Sequence, residues 1–205
     1  MRLSNNLSLQ EVTKSATAKR RGISNEPTIE HLENLKAIAE NVFQPMRDYF
    51  KVPITISSGY RSKELNDAIG GSLASQHSKG EALDIDCAPY SGLSNREVFE
   101  YIKEHLEFDQ LIWEFGNDSN PDWVHVSYKR QGKNRGEVLK AYRQGGKTRY
   151  KYFSRMDAND IKVLLMNAST LVISFSNLEA ALKITLLLAS IGYTAQKWYL
   201  MNKEK

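Results

Sequence analysis

The chain has 205 residues, 41% apolar and 25% charged, which is enough for one good core and a small second module but too short for two full domains. With 10% aromatic residues this composition excludes a disordered or fibrous protein. A formal charge of +4 is a small, dispersed excess that reads most simply as a solvated surface, so no nucleic-acid partner is expected.

The N-terminal MRLSNNLSLQEV lacks a continuous apolar stretch, and no segment reaches the roughly 18 apolar residues of a membrane span. Synthesis in the cytoplasm without a signal peptide and without membrane insertion is therefore expected, and an external substrate requires later release. Residues 1–27 carry the basic patch Lys19-Arg20-Arg21-Gly22 and the turn-like SNEP ending at Pro27, predicting an irregular arm. From Thr28, Leu32, Leu35, Ala39, Val42, Met46 and Phe50 recur at helical spacing and predict an amphipathic helix kinked at Pro45. VPITISSGY alternates and is β-branched, predicting a strand over about 52–57; Gly59 turns it into a short helix, SKELNDAI, that stops at Gly70-Gly71.

After the loop GSLASQHSKG, the run EALDIDCA predicts a second strand. Cys87, the single cysteine, reads there as a small buried residue; alone it allows neither an intrachain disulfide nor a multi-cysteine zinc cage, so any metal must use histidine and carboxylate. Ser94 and Glu97 form a capping box that opens the helix REVFEYIKEHL. QLIWEF and WVHVSYK predict two more strands around the turn-rich GNDSNPD. The order predicts an α+β domain whose antiparallel sheet is covered by helices on one face.

Lys129 to Lys151 reads as a basic, glycine-containing connection. In the tail, VLLMN and TLVISF predict strands, Ser176 and Glu179 cap a helix that Gly192 terminates, and YTAQKWYL predicts a last strand. The expected organisation is a main domain at 1–152 and a small accessory module at 153–205.

Two segments offer chemistry. In Ser75-Gln76-His77-Ser78-Lys79-Gly80-Glu81-Ala82-Leu83-Asp84 a loop histidine precedes a strand aspartate by seven residues, and Asp122-Trp123-Val124-His125 supplies a second histidine with an acid three residues before it. Two imidazoles and one carboxylate satisfy three positions of a tetrahedral zinc site and leave the fourth open, as catalysis needs. His31 and His105 fall on predicted helices and read as surface or partly buried residues. Asp86 shares a strand face with Asp84 by the two-residue period and is a rival ligand. Glu114 is either a site residue or a surface acid. Trp113, Trp123, Tyr60 and Tyr128 either line a groove or fill the core.

SGYRS at 58–62, SQHSKGEALDID at 75–86 and WVHVS at 123–127 stand in the order seen in zinc D-alanyl-D-alanine carboxypeptidases and related peptidoglycan endopeptidases, a family the chain resembles. It resembles in particular the small phage and prophage versions, where segments similar to LSLQEVTKSATAKRRGISN, NLKAIAENVFQPMRDYF and NRGEVL surround the motifs; the likeness covers roughly residues 7–152. The resemblance implies the metallopeptidase fold shared with hedgehog signalling domains. It further implies Zn2+ held by His77, Asp84 and His125, Asp122 as general acid/base, Arg61 stabilising the oxyanion or orienting the substrate carbonyl, and Ser75 as substrate-binding or loop-capping residue. The implied activity is hydrolysis of a bond involving a D-amino acid in peptidoglycan stem peptides, by a lysis or virion-associated enzyme. The alternative is a non-catalytic wall or protein binding module that keeps the fold.

Overall fold

The computed structural model describes residues 1–87, 92–153 and 178–203. The chain divides into two compact units, Met1–Phe153 and Ser154–Lys205.

In the first unit the N-terminal arm is ordered rather than irregular. Ser8 and Glu11 form a capping box at the start of α1 (Leu9–Thr13), and Ser15 caps α2 (Ala16–Arg21), which ends on the left-handed Gly22. Leu3, Leu7 and Val12 are buried in the main core, so the arm contributes to the hydrophobic stabilisation of the unit, at about 1.5–3 kcal/mol per fully buried large aliphatic side chain. The low apolar content of 1–27 concealed these anchors.

The predicted long helix is present, with an adjustment in place of a simple kink. α3 (Ile29–Ile38) leads into a π-helical turn, Ala39–Phe43, and then α4 (Gln44–Phe50), with Pro45 in the first turn of α4. The wider turn resets the hydrogen-bond register so that the missing proline N–H falls where no intrahelical partner is required. A short strand, β1 (Ile56–Ser58), α5 (Lys63–Ala68) and a 3-10 turn, Gln76–Lys79, follow. Next come β2 (Ala82–Ile85), the capping-box helix α6 (Asn95–His105), β3 (Gln110–Glu114) and β4 (Trp123–Ser127).

The stretch read as a connection instead forms a hairpin, β5 (Glu137–Gln144) and β6 (Lys147–Tyr152), closed by Gly145 and Gly146, both at positive φ. The six strands run in the order β1-β2-β4-β3-β5-β6. All pairs are antiparallel except β3 with β5, so the sheet is mixed, though mostly antiparallel as expected. Fold and element order otherwise match the α+β expectation.

Strand alternation divides the sheet into two faces. Leu83, Ile85, Leu111, Trp113, Val124 and Val126 point into one core with Leu35, Ile38, Val42, Met46, Val98, Phe99 and Ile102 from the helices. The opposite side of the same strands carries Asp84, His125, Ile112 and Glu114, and only a small apolar cluster of Ile112, Leu139 and Ala141 with Phe115. No helix among the described residues is long and apolar enough to cross a membrane.

In the second unit α7 (Leu178–Lys203) runs unbroken through YTAQKWYL, which corrects the predicted final strand. Gly192 lies inside this helix; one glycine costs only about 1 kcal/mol relative to alanine and does not stop a segment otherwise rich in helix formers. The predicted strands VLLMN and TLVISF, and the cap at Ser176, lie outside the described residues.

Gly59 is held by the arm: the Tyr60 amide donates to the Val12 carbonyl at 2.7 Å, and a Cβ on Gly59 would stand 2.4 Å from that oxygen. Gly59→Ala is expected to destabilise the protein by about 3 kcal/mol through backbone displacement, read as a lowered denaturant midpoint. A midpoint within error of the parent would show that α1 does not clamp this loop.

Candidate metal centre

Asp84 and His125 sit directly opposite one another in the β2–β4 ladder, and the 3-10 turn brings His77 over them. His77 Nε2, His125 Nδ1 and Asp84 Oδ1 converge: 3.2 Å between the two nitrogens, 3.2 Å from His77 to the oxygen and 2.9 Å from His125 to it. Ligands about 2.0–2.1 Å from a tetrahedral ion lie roughly 3.3 Å apart. The triangle therefore has the dimensions of three zinc ligands with one position open. All three residues are buried, at 4%, 7% and 8% exposure for His77, Asp84 and His125, and they form the one His, Cys, Asp and Glu cluster of metal-holding geometry among the described residues.

Surrounding groups orient the donors. His77 Nδ1 lies 2.6 Å from the Gly59 carbonyl; a carbonyl only accepts, so Nδ1 carries the proton and Nε2 presents its lone pair to the centre. Asp84 divides its oxygens, with Oδ1 on the histidines and Oδ2 receiving Arg61 Nη2 at 2.7 Å. Burial pushes the Asp84 carboxyl up, but the facing His77 and His125 outweigh it and hold the group well below the usual carboxylate range. Such a set is a ready cation site.

Arg61, expected at the oxyanion, is in fact tied down: besides gripping Asp84, its Nε donates to Ser58 Oγ at 3.0 Å and its backbone N–H to the His77 carbonyl at 3.3 Å. It also lines the cleft over the sheet face, about 630 Å³ in volume. The floor of that cleft holds His77, Asp84, His125 and Glu114; Ser75 stands at its rim, half-buried and making no side-chain cap bond to the turn it precedes.

Asp122 departs from the expectation. It is exposed and does not line the cleft; its N–H donates to the Glu114 carbonyl and its carbonyl accepts from Asn95 Nδ2. Asp122 lies in the bend just before β4, and an odd separation of three residues from His125 does not carry it to the face on which His125 stands. Glu114 has the even one, two residues from Ile112, which pairs with His125, and its side chain reaches the cleft. Burial pushes the Glu114 carboxyl up to about 7, against a lowering by His125 and a further rise from Asp84. Asp86 stays outside the cluster, accepting from Asn95 Nδ2 at 3.1 Å.

Of the four aromatic residues in question, Trp113 and Tyr60 are buried in the core, Tyr128 packs against it, and Trp123 lines the cleft. His31 is engaged with the Tyr60 hydroxyl at 3.1 Å and His105 is exposed beside Tyr101.

The Glu114 environment has a measurable cost in the metal-free protein. In the unfolded chain this carboxyl ionises near 4.5, in the folded one near 7, so unfolding releases a proton between those values and stability falls as pH rises through that window. Glu114→Gln removes the cost and is expected to be more stable than the parent by about 3 kcal/mol above pH 7, with the gap closing below pH 4.5. Denaturation of both proteins across pH, with metal absent, reads this; a gap independent of pH would contradict it.

A family model described as Peptidase M15 matches residues 5–127. It spans all three ligand candidates and ends with β4. No curated protein matches the chain.

Proposed function

Since the chain belongs to the M15 peptidase family, whose members are zinc-dependent, we propose that it hydrolyses peptide bonds involving D-amino acids in bacterial peptidoglycan, with zinc held by His77, Asp84 and His125. The observation that carries the ligand assignment is the 2.9–3.2 Å triangle of donor atoms on the sheet face. Zinc in such a three-ligand setting lowers the pKa of water toward neutrality and polarises a carbonyl.

The chain's own residues supply the rest. Glu114, buried on the floor of the cleft beside the three donors, is assigned as general base and then general acid, taking a proton from the attacking water and returning it to the leaving amine. This role passes from Asp122 to Glu114 because Glu114 lines the cleft and Asp122 does not. Arg61 acts as a positioning residue that fixes the orientation of Asp84, and since it lines the cleft its remaining N–H groups are assigned to orient the substrate carbonyl. Ser75 contributes a hydroxyl at the rim.

Residues 1–152 carry this activity in the proposal, and 153–205 form an accessory module, a division supported by the break after Phe153. The phage-like segments in the arm and in α3 and α4 favour a lysis enzyme as the biological setting.

Purified peptidoglycan incubated with the zinc-loaded chain is expected to release new amino and carboxyl ends, identified by mass spectrometry, and a chelator is expected to stop the release. Glu114→Gln should lower turnover about 100- to 10,000-fold while keeping one zinc per chain, whereas Asp122→Ala should stay within a few-fold of the parent. Full activity in the first variant and loss in the second would return the acid/base role to Asp122. Absence of cleavage despite stoichiometric zinc would favour a binding module.

A further inference from the structure

The family match stops at Ser127, yet the cleft continues past it. Its far wall is the hairpin of β5 and β6, which contributes Leu139, Arg143, Thr148 and Tyr150. Register shows how these residues stand to the centre. Leu139 pairs with Ile112, in the row of Asp84 and His125; Ala141 pairs with Glu114 and with Tyr150; Arg143 is one row further, paired with Thr148. Alternate residues are about 7 Å apart along a strand, so Arg143 stands one step past the Glu114 row, with a long side chain able to reach back.

Arg143 is held in place. Its guanidinium carbon lies 4.6 Å from the centroid of the Phe115 ring, and Nη1 donates to Thr148 Oγ1 at 3.1 Å. Phe115 is itself unusual, with φ at +54°. Continued alternation would send the residue after Glu114 to the helical side of the sheet. The left-handed backbone instead brings the ring to Ile112, Leu139 and Ala141 on the cleft side, edge-on to Trp123 at 5.3 Å. A non-glycine residue in that region costs on the order of 1–2 kcal/mol, a strain that a merely solvated arginine would not require.

Two arginines line the cleft. Arg61 is committed to Asp84, whereas Arg143 makes no direct ion pair among the described residues and its charge acts on the Glu114 carboxyl only from a distance. A solvent-exposed guanidinium stacked on one face and anchored through one nitrogen keeps further N–H groups to receive a carboxylate in the planar, two-bond manner.

Resting on the peptidase reading above, we infer that Arg143 binds a free carboxylate of the peptide substrate, one or two residues from the scissile bond, and thereby selects acidic stem peptides. Two sources offer that group: the C-terminal carboxylate of a stem peptide, and the free carboxyl of an internal acidic residue such as γ-linked D-glutamate.

The test uses the full-length, zinc-loaded Glu114→Gln chain, so that peptides bind without being cut, and calorimetry with three probes. The first is an acetylated peptide ending in D-Ala-D-Ala with a free carboxylate, the second its C-terminal amide, the third an amidated L-Ala-γ-D-Glu peptide whose only carboxylate is internal. Adding Arg143→Ala should weaken whichever carboxylate probe the cleft uses by about 10- to 100-fold and leave the amide unchanged, with Arg143→Lys intermediate; the probe that loses affinity names the source. Equal losses on acid and amide probes, no loss on either acid, or no binding of any probe before Arg143 is changed would overturn the assignment. A chain with Glu114 intact that binds the acid probe through Arg143 yet never cuts it would keep the assignment and remove the peptidase reading.

Discussion

Antiparallel pairing of β2 with β4 sets Asp84 against His125, and every other feature of the centre is built on that backbone register. Directly opposed residues in such a ladder hold their Cβ atoms about 4.5–5.5 Å apart, close enough for two short side chains to share a cation. A one-residue slip would carry both to the helical face and put Leu83 or Ile85 in their place. The slip is prevented by the apolar side of the same strands, where Leu83, Ile85, Val124 and Val126 are fully buried. Core and site are thus two faces of one alternation.

The third donor needs separate support, since His77 comes from a turn. Gly59 supplies a carbonyl for its Nδ1 proton, and the approach of Val12 to Gly59 ties that carbonyl to the N-terminal arm. Beyond it, Gln76 donates to Asp109, a fully buried carboxylate also gripped by Lys129 and Arg135. Burial pushes the Asp109 carboxyl up, but the hydrogen bonds from Arg135, Lys129 and Gln76 outweigh it and keep the group ionised. Removing one partner from so buried a charge is far costlier than losing a surface pair, so this network fixes the turn as firmly as apolar packing would. The polar centre and its rigid surroundings arise from the same elements.

Much of this was readable in the residues, and what was not has identifiable causes. Capping at Ser94 with Glu97 and the alternation in EALDID and WVHVS are local signals, so α6, β2 and β4 emerged from sequence. The β5–β6 hairpin had a signal too, VLKAYRQ and KTRYKY around Gly145-Gly146, but basic side chains on its exposed positions masked the alternation. The arm's anchors Leu3, Leu7 and Val12 are too few to form a period. The resemblance implies Asp122 at the site through its place three residues before His125, whereas Glu114 lines the cleft because the β3–β4 pairing brings it near, a contact no local sequence signal carries. Continuation of α7 past Gly192 reflects the sum of helix formers around a single glycine, a balance that one terminator does not decide.

The most direct measurement of the central claim is X-ray absorption at the zinc edge of the loaded protein, beside its Asp84→Asn and His77→Ala variants. One zinc per chain is expected, with two imidazole nitrogens and oxygen ligands at about 2.0–2.1 Å, and loss or rearrangement of that shell in both variants. Zinc bound with an unchanged shell after His77 and Asp84 are replaced would place the metal elsewhere and contradict the account.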